Sequence, residues 1–290
     1  MKVYVNGKIV DKDKALVSVF DRGFLYGDGI FETMRSYDGK IFRIQDHLDR
    51  LYSAMKFLKI RQPLADKEAE KVIYELLEAN ALKDARIRVT ISRGKSEDGK
   101  MDISKSEPSN MVVITEEYVQ PPDKYYEKGI AANIARSRRN SRSVLSNLKV
   151  LNYLDSILAR NEAIPKGFFD TIFLNDAGYV CEGSTSNIFM VSGTRLLTPS
   201  GDCGILPGIT RKVVLEISRY AGVGTEEGRF GEDELKKSAE VFITNSMFEI
   251  MPIVKIEDKI IGDGSVGKTT RKIHALYKEQ VAKDTKSAGS

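Results

Sequence analysis

Tryptophan is absent from this chain of 290 residues, and cysteine and histidine occur twice each. These shortages exclude a good deal of chemistry. Cys181 and Cys203 are far apart and form no CxxC pair, so neither a disulfide framework nor a zinc cluster is expected. Any histidine-based metal site or Ser/His/Asp triad would have to use His47 or His274. Both sit inside amphipathic helix patterns, where a packed or surface role fits better, and no metal is expected. No apolar run approaches the roughly 18 residues of a membrane-spanning helix. The opening Met1-Lys2-Val3-Tyr4-Val5-Asn6-Gly7 lacks the apolar stretch of a signal peptide, so a cytoplasmic protein without membrane partners is expected. Lys+Arg 45 against Asp+Glu 41 gives a net charge of only +4, with the signs interspersed. That is no footprint for nucleic acid.

What is present describes a globular chain, 41% hydrophobic and 30% charged, long enough for one large domain or two modest ones. The aperiodic segment 118–124, with Pro121-Pro122 at its centre, reads as a linker. It divides a smaller N-terminal α/β unit (1–117) from a larger C-terminal one (125–290). Val3-Tyr4-Val5-Asn6-Gly7-Lys8-Ile9-Val10 predicts a hairpin on an Asn-Gly turn. Val17-Ser18-Val19-Phe20 reads as a short strand. Gly23, Gly27 and Gly29 mark a loop or one-turn helix with close backbone approach, whose aromatic residues serve equally well as a lid or a pocket wall. A helix is expected over 45–59 with Leu48, Leu51, Met55 and Leu58 inward and Arg50 off that face. A second helix covers 66–80. Strands follow at 85–92, with Arg86 and Arg88 sharing the face opposite Ile87, Val89 and Ile91, and at 111–115.

In the C-terminal half, a strand at 130–134 leads into a basic loop, Arg136 to Arg142, which reads as solvated. Lys149 then stands ahead of a helix whose apolar stripe is Leu151, Leu154, Ile157 and Leu158; Lys149 and Tyr153 fall off that stripe. Taken alone, Lys149 reads as one more surface lysine. Strands at 169–174, 179–183, 187–191, 196–198 and 241–244, a hairpin at 253–261, and helices after Pro207-Gly208, at 232–238 and at 269–283 complete the pattern. Arg93 to Gly99 reads as a loop, and the end, Lys286 to Ser290, is expected to be disordered.

Two stretches could hold a phosphate. Gly262-Asp263-Gly264-Ser265-Val266-Gly267-Lys268-Thr269 matches the P-loop pattern GxxxxGK[ST] and alone suggests a nucleotide-binding protein. Its context argues against this, because the preceding strand is a polar hairpin and too little chain follows for the remaining P-loop units. Leu206-Pro207-Gly208-Ile209-Thr210-Arg211 is the alternative, a turn into a helix whose free N–H groups can bind an anion.

Taken in order along the chain, Tyr26-Gly27-Asp28-Gly29-Ile30-Phe31-Glu32, His47-Leu48-Asp49-Arg50-Leu51, Lys149 with Leu151-Asn152-Tyr153-Leu154, Glu182-Gly183 with Ser186-Asn187-Ile188-Phe189, Leu206 to Arg211, and Val266-Gly267 resemble the class IV (fold type IV) pyridoxal-phosphate enzymes. These are the branched-chain aminotransferases, D-amino-acid aminotransferases and aminodeoxychorismate lyases. The resemblance implies an α+β, two-domain fold: a small N-terminal α/β domain and a larger, β-barrel-like C-terminal α/β domain. It implies pyridoxal 5'-phosphate as cofactor, with Lys149 forming the Schiff base and moving the proton. Glu182 would pair with the pyridine nitrogen. Arg50, Ile209, Thr210 and Ser246 would hold the phosphate, and Tyr153 would lie near the phenolic oxygen. Tyr26, Phe31, Thr33, Arg88 and Arg93 would face the substrate, with Arg88 or Arg93 receiving its carboxylate. In the family the pocket lies between the domains and borrows a loop from a partner subunit, which implies at least a homodimer.

Within the family, the first expectation is an aminotransferase moving an amino group between a branched-chain-like amino acid and a 2-oxo acid such as 2-oxoglutarate. Thr33 and Thr244-Asn245-Ser246 resemble the lyases, which release pyruvate and 4-aminobenzoate, and the lyase stands second. Glu182-Gly183-Ser184-Thr185-Ser186-Asn187 also resembles the D-amino-acid enzymes, but Tyr153 differs from the leucine usual there, and this option stands third.

Overall fold

A computed structural model of the chain describes residues 1–96, 101–106 and 108–286. The expectations for Glu97-Asp98-Gly99 and for the terminal Ser287 to Ser290 lie outside the described residues. Two compact units emerge.

The first unit holds Met1–Val119 together with Leu148–Asn152 and the chain after Lys283. Its elements are β1 (Lys2–Val5), β2 (Lys8–Asp11), α1 (Arg22–Tyr26), β3 (Gly29–Tyr37), β4 (Lys40–Ile41), α2 (Ile44–Leu58), α3 (Asp66–Ala79), β5 (Ala85–Ser92) and β6 (Asn110–Glu117). The six strands form one antiparallel sheet in the order β2-β1-β6-β5-β3-β4. Asn6 and Gly7 take the positive φ angles of the expected hairpin turn. Alternation along β5 is strict: Ala85, Ile87, Val89 and Ile91 are fully buried, and Arg86, Arg88 and Thr90 lie on the other face.

The far edge of β3 is paired by the segment 148–152. Ile30 bridges Val150, the Phe31 N–H donates to the Lys149 carbonyl at 2.9 Å, and the Leu151 N–H donates to the Gly29 carbonyl at 3.0 Å. Position 29 must be glycine for this, because a Cβ there would stand 2.5 Å from the Ile91 carbonyl and 2.8 Å from Leu151 Cδ1.

The second unit holds Gln120–Asn147 and Tyr153–Lys283. It contains α4 (Asp123–Lys128), β7 (Ile130–Arg139), α5 (Leu154–Ala163), β8 (Asp170–Asn175), β9 (Val180–Gly183), β10 (Asn187–Ser192), β11 (Arg195–Pro199), α6 (Ile209–Tyr220), β12 (Gly224–Gly228), α7 (Glu232–Lys237), β13 (Glu240–Asn245), β14 (Glu249–Ile256), β15 (Lys259–Ile260) and α8 (Lys268–Thr285). Six strands close into a ring, β10-β13-β14-β7-β8-β9 and back to β10. The closing contact is the single pair Asn187↔Glu182. Ile130, Ala132, Ile172, Ile188, Ile243 and Met251 belong to the buried cluster of this barrel.

Three expectations are corrected, and one strand is new. Val17 to Phe20 is not a strand; it joins no strand among the described residues, and Val17, Val19 and Phe20 are exposed. Arg136 to Arg139 belong to β7 and not to a loop, because β7 continues alongside β8 after a bulge. The apolar stripe expected to bury α5 does the reverse: Leu154, Ile157 and Leu158 are 65%, 52% and 56% exposed, while Ser156, Ala159 and Ala163 face inward. Gly224-Thr225-Glu226-Glu227-Gly228, polar and unremarked in sequence, forms a strand parallel to β11.

Candidate active site

In the first unit, the chemistry gathers around β3. The Lys149 ammonium lies 4.5 Å from the centre of the Phe31 ring, and the Arg88 guanidinium lies 3.9 Å from the same centre. Thr33 stands directly across from Arg88 in the β3–β5 register. Lys149, Phe31, Thr33 and Arg88 are thus brought to one neighbourhood.

The opposite face of β3 carries a buried ionic cluster that sequence reasoning missed. Glu32 is 1% exposed. Its Oε1 accepts from Arg50 Nε at 2.7 Å, and its Oε2 accepts from Arg50 Nη2 at 2.8 Å and from His47 Nδ1 at 2.8 Å. Burial pushes the Glu32 carboxyl up, but the Arg50 charge and the His47 hydrogen bond outweigh it and leave it well below the usual range. For His47, burial and the nearby Arg50 and Lys149 charges outweigh the pull of Glu32, so its value falls and the ring is neutral near pH 7. The only sequence signal was that His47 and Arg50 are three apart on one helix.

Arg93 is differently employed. It donates to Asp28 Oδ2 at 2.8 Å and to the carbonyls of Lys59 and Leu58 at 2.8 and 2.9 Å. These bonds tie it to the end of α2, leaving Arg88 as the better placed arginine for a substrate carboxylate. Tyr26, at the end of α1, is 42% exposed, and its carbonyl accepts from Asn152 at 3.4 Å.

In the second unit, Glu182 lies at the barrel seam. Its Oε2 accepts from the Leu206 N–H at 2.9 Å and from Asn187 Nδ2 at 3.4 Å, and Arg139 Nη2 stands 3.8 Å from its Oε1. Asn187 also donates to the Leu206 carbonyl at 2.8 Å. The loop leading into α6 is therefore fastened to the same carboxylate that the family resemblance singles out. Asn187 was read as a strand residue within the family motif and Arg139 as a loop residue; their contacts to Glu182 need the register to be seen.

Beyond that loop, α6 begins at Ile209 with Gly208 as its N-cap and no side-chain cap. The N–H groups of Ile209 and Thr210 have no hydrogen-bond partner among the described residues, although both residues are almost fully buried. A buried helix N-terminus without a side-chain cap presents N–H donors that suit an anion. The buried hydroxyl of Thr244, opposite Asn187 in the β10–β13 register, is likewise unpaired among the described residues. Ser246 is half-buried in the turn that follows, and Tyr153 is half-buried immediately before α5. These donors fit a phosphate, and Glu182 fits a protonated ring nitrogen.

The P-loop look-alike is already filled. Glu240 Oε1 accepts from the Thr269 N–H at 3.0 Å, and its Oε2 accepts from the Thr270 N–H and hydroxyl, each at 2.7 Å. A Cβ at Gly267 would fall 1.9 Å from Glu240 Cδ. The glycine of the pattern makes room for the chain's own carboxylate, which displaces the nucleotide-binding reading. Among the described residues no cluster of histidine, cysteine, aspartate and glutamate could hold a metal, and no helix is long and apolar enough to cross a membrane.

Comparison with known proteins agrees with this geometry. The profile described as amino-transferase class IV matches residues 29–256. A Methanocaldococcus jannaschii protein named provisionally as a branched-chain-amino-acid aminotransferase is 39% identical, with 96% of each chain covered. The aminodeoxychorismate lyase of Bacillus subtilis is 34% identical over 96% of this chain and 94% of its own. Among solved structures, a T.th. branched-chain amino acid aminotransferase with pyridoxamine 5'-phosphate superposes with a TM-score of 0.90 at 27% identity, covering 98% of this chain and 94% of that one.

Proposed function

This chain belongs to the class IV aminotransferase family, and on that premise we propose that it transfers an amino group between a branched-chain-like amino acid and a 2-oxo acid such as 2-oxoglutarate. Its cofactor is pyridoxal 5'-phosphate. When bound, that group supplies an electron-poor ring that takes up the electron pair left on the substrate carbon. The chain's own residues do the rest. Lys149 supplies the amine that engages the cofactor and afterwards holds and returns the substrate proton at its Nζ. Glu182, held by the Leu206 N–H and standing 3.8 Å from Arg139, would hold a proton at the ring nitrogen. The α6 N–H groups with Arg50 and Ser246 bind the phosphate, and Tyr153 serves the phenolic oxygen. Phe31, Arg88 and Tyr26 orient the substrate.

The observation that carries this reading is the N-terminus of α6, buried, uncapped and joined through Leu206 to Glu182. A second reading is favoured by Thr33. A hydroxyl directly across from Arg88 and on the face of Phe31 suits elimination of pyruvate, and the Bacillus subtilis relative is a lyase. The deciding experiment offers L-leucine, L-valine, L-isoleucine and D-alanine with 2-oxoglutarate, beside an assay for pyruvate release from aminodeoxychorismate. Glutamate formed from the branched L-amino acids is expected. Pyruvate release without amino transfer sinks the first reading in favour of the second, and transfer from D-alanine alone in favour of a D-amino-acid enzyme.

We also propose a homodimer. Leu16, Phe20 and Phe24 in one unit and Leu154 and Leu158 in the other are each more than half exposed, more large apolar surface than isolated exposed residues would explain. Sedimentation at micromolar concentration is expected to give twice the chain mass of 32.4 kDa; a monomer there would reject the assembly.

A further inference from the structure

We propose that Glu32 is a positioning residue of this enzyme, one that acts through Arg50 to fix the direction in which the phosphate anchor points. The proposal rests on the reading of Arg50 as a phosphate ligand and goes beyond it.

On the face of β3 that meets α2, the immediate neighbours of Glu32 are apolar: Ile30 and Met34 are 1% and 0% exposed. A carboxylate between them is costly unless it is matched, and an apolar residue there would pack without that cost. What matches it is a two-pronged contact. Glu32 takes the Nε and Nη2 edge of Arg50, one oxygen to each nitrogen, which fixes the plane of the guanidinium as well as its position. His47, one turn before Arg50 on α2, donates Nδ1–H to the oxygen that already receives Nη2. Because His47 is neutral, it adds a hydrogen bond without adding charge. One carboxylate thus balances one guanidinium.

The pair is electrically closed, so Arg50 acts on a phosphate through aimed N–H groups more than through net charge. The side chain is also already ordered when the ligand arrives, which removes the rotamer entropy a free arginine would lose. Glu32 touches neither substrate nor phosphate in this scheme; it decides where Arg50 stands.

The test titrates full-length protein, freed of cofactor, with pyridoxal 5'-phosphate and separately with pyridoxal, which lacks the phosphate, following ligand absorbance. Glu32→Gln is expected to weaken pyridoxal 5'-phosphate binding at least about tenfold and to leave pyridoxal binding within about twofold. Arg50→Lys is expected to show the same selective loss. The double variant should be no weaker than Arg50→Lys alone, since Glu32 works through Arg50. Equal losses for both ligands in Glu32→Gln, or losses that multiply in the double variant, would overturn the proposal and leave Glu32 a core residue only. Unchanged pyridoxal 5'-phosphate binding in Arg50→Lys would remove the phosphate role of Arg50 itself, and the positioning role with it. If Glu32→Gln fails to fold, Glu32→Asp takes its place. A selective loss of phosphate-dependent affinity in that variant supports the clamp, and a loss common to both ligands, or none, overturns it.

Discussion

Of the three helices of the second unit that begin just after a glycine, α6, α7 and α8, the first and the last have starts built for opposite contents. At α8, Gly267 admits the carboxylate of Glu240, which caps two backbone N–H groups and the Thr270 hydroxyl. The positive end of that helix is neutralised from within the chain. At α6, Gly208 admits Asn187 instead, whose Oδ1 would meet a Cβ there at 2.0 Å. An amide carries no charge, and this one turns its N–H toward Leu206 and Glu182. The Ile209 and Thr210 N–H groups are left for something else. A glycine-helix pattern therefore says only that something comes close to the backbone. Whether that something is a ligand or a glutamate depends on the neighbouring strand, β13 for α8 and β10 for α6.

Substitutions at the two helix starts sharpen or break this contrast. Ile209→Pro is expected to have the largest effect. Proline is accepted at the first helical position, and it deletes one N–H aimed at the phosphate. A hydrogen bond to a charged group contributes about 1.5–3 kcal/mol, so pyridoxal 5'-phosphate should bind about 10- to 100-fold more weakly. Wild-type affinity in a cofactor titration would erase the difference between the helices.

Glu240→Ala comes next and should act on folding alone. Losing a charged cap with three donors is expected to cost about 2–3 kcal/mol in urea unfolding, with cofactor affinity unchanged in the folded protein. A selective loss of cofactor affinity would show that α8 also serves the phosphate. Lys268→Ala, on the same turn, is the smallest: stability within about 0.5 kcal/mol and no change in cofactor binding. ATP binding that this substitution abolished would restore the nucleotide reading.

Much of this was legible in the chain, for physical reasons that differ from place to place. Asn6-Gly7, the alternation of β5 and the apolar face of α2 are local signals, and the structure repeats them. The α5 stripe misled because apolar spacing reports that a face wants cover, not that its own chain supplies it; Leu154, Ile157 and Leu158 are exposed in the single chain. β12 was invisible because a strand paired along only one edge and rich in glutamate and glycine has no hydrophobic pattern to show. Lys149 and Glu182 were singled out only through the order of weak motifs along the chain. Glu32 was not: nothing in Phe31-Glu32-Thr33 announces that His47 and Arg50 converge on it. The P-loop look-alike shows the converse error, a complete motif whose site is occupied by a residue 29 positions earlier.

The barrel seam has a consequence for folding order. Glu182 and Asn187 are five positions apart, so the pair that closes the ring forms by a short-range loop closure. The pairing of β7 with β14 joins Ile130 to Ile253 in parallel and must wait for nearly the whole unit to be assembled. The backbone of Glu182 is thus paired by a hairpin-sized piece of chain, while its carboxylate also takes the Leu206 N–H from 24 positions further on. An insertion within Gly183-Ser184-Thr185-Ser186 would move that carboxylate while leaving the slow, long-range step of folding untouched.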